Sequence, residues 1–144
     1  MDWTINGNIF DPGYENLADF VGFVYLITHR RTGLKYIGKK TFHKKVTRPP
    51  LKGKTKKRRS TVESDWKTYC GSSEIVKKLL VEEGLDSFDR EILHLCKTKG
   101  ELNYLEMFEQ VQRGVLFKPE EYLNGIIQVR INRSHVLNKM SQPK

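Results

Sequence analysis

Phe23-Val24-Tyr25-Leu26-Ile27 and Tyr36-Ile37-Gly38 decide the fold, with Arg31-Thr32-Gly33 between them. The first is an apolar run of β-branched and aromatic residues, and the second follows a glycine-bearing turn. An apolar strand, a glycine turn and a second short strand predict a β-hairpin over about residues 22–38. Tyr25 and Tyr36, with ten residues between them, then lie near one another on the hairpin. A lone strand tyrosine usually packs in a core with its hydroxyl satisfied locally. Gly38 has no side chain, so backbone and ligand can come close there.

Downstream, Thr98 and Glu101 have the spacing of a capping box, which predicts a helix starting there and stopping at Gly114. Leu102, Leu105, Glu106 and Glu109 share one face of that helix. A glutamate beside two leucines is not what a simple core stripe would choose. Before it, Ser72 or Ser73 caps a helix carrying Ile75, Val76, Leu79 and Leu80 on one side and ending at Gly84. Phe88–Cys96 ends in alternation and predicts a third strand. Ser64–Tyr69 predicts a short helical turn, and Ile126–Ile131 a last strand or an extended tail. The expected fold is α+β, a small, mainly antiparallel three-stranded sheet flanked by helices.

Charge is unevenly placed. The 144 residues carry a net +9, yet residues 39–59 hold eight lysines, three arginines and no acid. That segment is +11, and the rest of the chain sums to 9 − 11 = −2. A cationic segment in a near-neutral domain suits a polyanion, because each neutralised phosphate releases a condensed counterion. With Pro49-Pro50 and Gly53 among like charges, the segment is expected to be an extended or mobile loop. The expected division is an acidic extension over 1–20, packing Trp3, Phe10 and Tyr14 on the domain, then a domain over 21–125 and a tail over 126–144. No run of membrane-spanning length is present. Met1-Asp2-Trp3-Thr4 lacks the basic-then-apolar pattern of a secretory signal. Cys70 and Cys96 have no metal-binding spacing and read as reduced thiols. The expected location is the cytoplasm of a bacterial or phage-infected cell. His29, His94 and His135 read as structural or surface residues.

The hairpin tripeptides, followed in order by the capped helix and its glutamate, resemble the GIY-YIG nuclease superfamily. The likeness spans roughly residues 22–125. It departs at Phe23-Val24-Tyr25, where the glycine, Gly22, stands one place early, and no arginine falls at the family's usual distance. Lys39 after Gly38, and Asp65-Trp66-Lys67-Thr68-Tyr69-Cys70-Gly71-Ser72, are similar to a phage-associated, homing-type branch. The resemblance implies a Mg²⁺- or Mn²⁺-dependent DNA endonuclease. It implies Glu106 as metal ligand, with Glu109 the competitor one turn on. Tyr25 would act beside the attacking water as base or positioner, and Tyr36 would bind the phosphate or the water. Lys39 would be the phosphate cation, with His43 and Tyr69 as helpers. Asn124 matches the asparagine that braces the family's site, and equally reads as a turn residue before Gly125. Expected DNA contacts are Lys40, Lys44, Lys45, Arg48, Lys52, Lys54, Lys56, Lys57, Arg58 and Arg59. Target choice is expected to come from residues 39–59, the tail or a partner, and a homodimer is one way to cut both strands. The alternative is a non-catalytic nucleic-acid-binding protein retaining the fold.

Overall fold

The computed structural model describes residues 2–13 and 17–134, so Tyr14 and His135 lie outside the described residues. β1 (Trp3–Ile5) and β2 (Asn8–Ile9) pair antiparallel around Asn6-Gly7, whose φ angles are 50° and 82°. A two-residue hairpin turn of type I′ needs positive φ at both positions, and Asn-Gly adopts it most readily. The predicted hairpin follows as β3 (Gly22–His29) and β4 (Lys35–Thr41), with Tyr25 opposite Gly38. β5 (His43–Arg48) and β6 (Arg58–Glu63) come next. They are followed by α1 (Glu74–Glu83), β7 (Phe88–Cys96) and α2 (Lys99–Gln112).

The class is α+β as expected, but the main sheet has five strands in the order β2-β1-β7-β3-β4. The predicted three antiparallel strands are its β7-β3-β4 portion. The other two come from residues 3–9, and β1 runs parallel to β7. The sheet is therefore mixed. Trp3 is buried, and its Nε1–H donates to the Trp66 carbonyl at 2.7 Å.

The basic segment is a second correction. It is a two-stranded ribbon rather than a loop, with Lys45 opposite Thr61, Val46 opposite Ser60 and Thr47 opposite Arg59. Valines and threonines favour the pleated backbone, and both prolines fall in the connection after β5, where they remove no ladder hydrogen bond. The ribbon pairs with no strand of the main sheet. Ile126–Ile131 forms no strand.

β3 is buried on both sides. Phe23, Tyr25 and Ile27 pack with Trp3, Phe42, Trp66 and Phe88. Val24 packs on the opposite face with Ile37, Cys96, Leu102 and Leu105. α2 thus covers one face of the β3–β4 hairpin, held at its start by the Glu101 N–H donating to Thr98 Oγ1 at 3.0 Å. α1 buries only Val76, with Leu79 and Leu80 half-buried and Ile75 exposed. Its predicted apolar side is therefore narrower than four residues.

Candidate active site

Gly38 lies opposite Tyr25 in the β3–β4 ladder. Tyr25 lies across it from β3, 1 % exposed, and its hydroxyl occupies the space a Gly38 side chain would need. A Cβ there would also stand 2.6 Å from Tyr25 Cζ and 3.1 Å from the Tyr36 ring. Gly38 is thus required by Tyr25 itself, a packing reason that its place in the sequence does not reveal. The Tyr25 and Tyr36 ring centroids are 6.4 Å apart, and Tyr36 Oη lies 3.1 Å from Ser72 Oγ. Tyr69 meets Tyr25 edge-on at 5.9 Å. Burial raises the Tyr25 pKa well above the phenol range, and Tyr69, Tyr36 and the charge of Glu106 push the same way. Tyr25 is a neutral phenol at pH 7. A one-residue irregularity in β3–β7 pairing falls between Val24 and Tyr25. Bulges sharpen local twist beside many active sites.

On the other face of β4, Lys39 points toward α2. Its Nζ lies 3.8 Å from Glu106 Oε1 and donates to Asn103 Oδ1. The Glu106 side chain is 15 % exposed. Burial raises its pKa, and Lys39 only partly offsets that. Glu109 is engaged elsewhere, 2.8 Å from His94 Nε2 and 2.9 Å from Arg113 Nε. Burial opposes its charge, but those two hydrogen bonds outweigh it and hold its pKa below the ordinary carboxylate range. Of the two candidates, the carboxylate left short of positive charge is Glu106.

Asn124 braces this edge from outside the sheet. Its Oδ1 accepts from the Ile37 N–H at 3.0 Å, and its Nδ2 donates to the Ile37 carbonyl at 2.7 Å. Gln110 Nε2 donates to the same carbonyl at 3.2 Å. β4 is an edge strand, and these side chains satisfy backbone groups that no neighbouring strand reaches. Ile37 stands between Tyr36 and Gly38, so the brace fixes both.

A hairpin tyrosine pair, an α2 glutamate and a bracing asparagine thus meet around one edge strand. The family model described as "Putative endonuclease segE, GIY-YIG domain" matches residues 3–127. This chain belongs to the GIY-YIG family. Comparison with curated proteins and with solved structures gave no match. The GIY-YIG match begins at residue 3, where β1 begins.

GIY-YIG nucleases generally use a divalent metal. No group of three or more His, Cys, Asp or Glu converges to form a cation cage among the described residues. A hard cation that keeps several waters and takes one carboxylate plus substrate phosphates needs no such cage. Glu106, half-buried with the Lys39 ammonium beside it, fits that donor set.

Lys39 and Lys40 lie on opposite faces of β4. Lys39 faces Glu106. Lys40 shares the Tyr36–Gly38 face, with Nζ 4.0 Å above the Tyr69 ring and 2.6 Å from Asp65 Oδ1. The Lys40 hydrogen bond lowers the Asp65 pKa. Tyr69 is thus beside Tyr25, while His43 begins the ribbon opposite Glu63 and is not among the groups around Tyr25 or Glu106. Lys44, Lys45, Arg48, Lys52, Lys54, Lys56, Lys57, Arg58 and Arg59 are exposed on the ribbon and its connection. Residue reading missed Asn103, Gln110 and Arg90. Arg90 Nη1 donates to the Lys67 and Tyr69 carbonyls at 2.9 Å each, which holds the Tyr69 turn. An arginine within an alternating strand was the only signal. Both cysteines are free and buried, with pKa values pushed up to about 11 for Cys70 and about 12 for Cys96. His29 is fully buried, with Nε2 2.8 Å from Glu83 Oε2.

Proposed function

We propose that this protein is an endodeoxyribonuclease that hydrolyses phosphodiester bonds at the β4 edge, using Mg²⁺ or Mn²⁺ held by Glu106. The observation that carries it is the half-buried Glu106 carboxylate beside Lys39, near enough for its charge to act on Tyr25 of the tyrosine pair packed around Gly38. The cation supplies charge neutralisation at the phosphate and at the leaving oxygen when bound. The protein's own groups do the rest. Tyr25, held neutral, donates its hydroxyl proton in a hydrogen bond and accepts one from the water, so it positions rather than deprotonates. Tyr36 Oη, on the exposed side near Ser72, binds a phosphate oxygen. Lys39 turns from Asn103 and Glu106 to the phosphate, and Lys40 and Tyr69 hold the Tyr25 side of the site. His43 at the ribbon base contacts the same strand of DNA, and Asn124 keeps β4 in register. The segE description and the homing-type likeness support a phage-encoded, homing-like role in a bacterial cytoplasm.

The test is incubation with supercoiled plasmid, with and without Mg²⁺ or Mn²⁺, beside the Glu106→Gln variant. Metal-dependent nicked or linear product from the wild type alone is expected. A second reading, a DNA-binding protein without catalysis, is favoured by one observation: Lys39 and Lys40 are already paired. Tight binding without product under either metal would establish it.

A further inference from the structure

The β5–β6 ribbon has two unlike faces. Cross-strand partners share a face, so Lys44–Val62, Val46–Ser60 and Arg48–Arg58 lie on one side. That side is engaged. Val46, Ser60 and Val62 are half-buried, Arg48 Nε donates to Ser60 Oγ at 2.9 Å, and Arg58 Nε donates to the Pro49 carbonyl at 3.2 Å. On the other side the His43–Glu63 pair lies at the ribbon base, with Glu63 Oε1 accepting from Trp66 Nε1 at 2.9 Å, and beyond it Lys45, Thr47, Arg59 and Thr61 are all exposed. Among the described residues, these four side chains take no hydrogen bond or ion pair. A shallow concavity lined by Thr47, Lys56, Lys57 and Arg59 opens there.

We propose that this open face reads base edges in the major groove of duplex DNA, so that the ribbon chooses where the protein cuts. The proposal rests on the nuclease reading above for its consequence, but not for the docking itself. The dimensions fit. Six paired positions at about 3.4 Å each give a ribbon roughly 20 Å long. A major groove about 12 Å wide and about 8.5 Å deep admits two strands. The residue types fit as well. Arginine and lysine hydrogen-bond guanine O6 and N7, while threonine offers a hydroxyl to any base and a methyl group to thymine.

The ribbon is also rigidly rooted to the site. Phe42, fully buried, separates β4 from β5 and packs edge-on against Trp66 at 5.1 Å. The Ser64 N–H donates to the Phe42 carbonyl at 2.8 Å, and Ser64 Oγ–H to the Thr41 carbonyl at 2.6 Å, closing the ribbon base. β4 itself carries Tyr36, Gly38, Lys39 and Lys40. Seating the ribbon on a base sequence therefore fixes which phosphate meets the tyrosines.

Dimethyl sulfate methylates guanine N7 in the major groove and adenine N3 in the minor groove. Whole protein is bound to end-labelled duplexes in the presence of a chelator, so that docking is read without cleavage. Wild-type protein should protect guanine N7 over a block of a few base pairs. Thr47→Ala/Arg59→Ala and, independently, Lys45→Ala/Thr61→Ala should each lose part of that block. Exposed surface changes of this kind leave folding intact. With metal, cut ends sequenced from a randomised duplex library should show the matching preference weakened about 5- to 100-fold per base pair read. Protection confined to adenine N3, or guanine protection unchanged in both variants, overturns the proposal. Absence of cutting by the wild type defeats the nuclease reading instead, and the methylation pattern still judges the ribbon.

Discussion

A methyl group on Gly38 would overlap the Tyr25 hydroxyl and come within 2.6 Å of its ring carbon. Tyr25 cannot retreat, because Phe23, Tyr69 and Trp3 pack around it. Gly38→Ala should therefore cost about 1–3 kcal/mol of stability, as overpacking does, and should lower turnover through the displaced hydroxyl. Gly125→Ala, with open space around it, should melt like the wild type. Glu106→Gln should cut at least about 100-fold more slowly, since losing even an outer partner of a metal site costs 10–100-fold. The same variant has an opposite effect on stability. Burial raises the folded pKa of Glu106 above its unfolded value, so at pH between the two the folded chain binds more protons than the unfolded one. Its contribution is full below the unfolded pKa and is lost as pH rises through the folded one. Glu106→Gln should accordingly melt above the wild type at pH 7, with the gap closing toward pH 4, in thermal scans at both pH values. A lower melting temperature at pH 7 would mean that Lys39, not burial, governs this carboxylate. Glu106 was legible in the sequence because a charged residue broke an apolar helix face. The reason for Gly38 was not, since its neighbour comes from another strand.

Elements were legible where their signals were local. The capping box placed α2, and the glycine turn placed β3 and β4. Asn6-Gly7 was an equally local hairpin signal, but strands of three and two residues are too short to show alternation. The parallel pairing of β1 with β7 joins Trp3 to Arg90 and had no local signal at all. The ribbon failed for a different reason. Its charge density argued for repulsion, while its pairing depends on alternate positions such as Val46 and Val62. Asn124 shows how an element can depend on one side chain. Asn124→Ala would strip a buried acceptor from the Ile37 N–H and one of two donors from its carbonyl. Leaving such groups unpaired costs about 1–3 kcal/mol, measurable as a lower urea midpoint with an unchanged slope. Gln110 keeps the carbonyl satisfied, so Asn124→Asp, which retains the acceptor for the N–H, should recover part of the loss. Equal loss in both variants would show that the amide donor, rather than the acceptor, holds β4.

At the scale of the whole molecule, the structure redistributes the charge read from the sequence. Residues 39–59 carry +11 against −2 elsewhere. Lys39 and Lys40 spend theirs on Glu106 and Asp65 inside the site. The remaining cations stand on a ribbon that projects from the domain, and Lys52, Lys54, Lys56 and Lys57 crowd its connection, all exposed. Charges so placed can follow a DNA backbone on either side of the groove without disturbing the fold. Neutralising those four lysines to glutamine should leave the melting temperature within about a degree or two, because surface changes rarely exceed about 0.5 kcal/mol. DNA affinity should fall and lose much of its dependence on salt. Each phosphate contact on duplex DNA contributes about −0.9 to the slope of log K against log salt, so four contacts would flatten it by roughly 3 to 4 units. Titrations between about 50 and 200 mM salt measure this directly. A smaller change, of about 1 to 2 units, would mean that only some of the four reach phosphates at any moment. An unchanged slope would show that the connection is solvated in the complex. Any polyanion would then have to be held by the ribbon strands alone, with Lys44, Lys45, Arg48, Arg58 and Arg59.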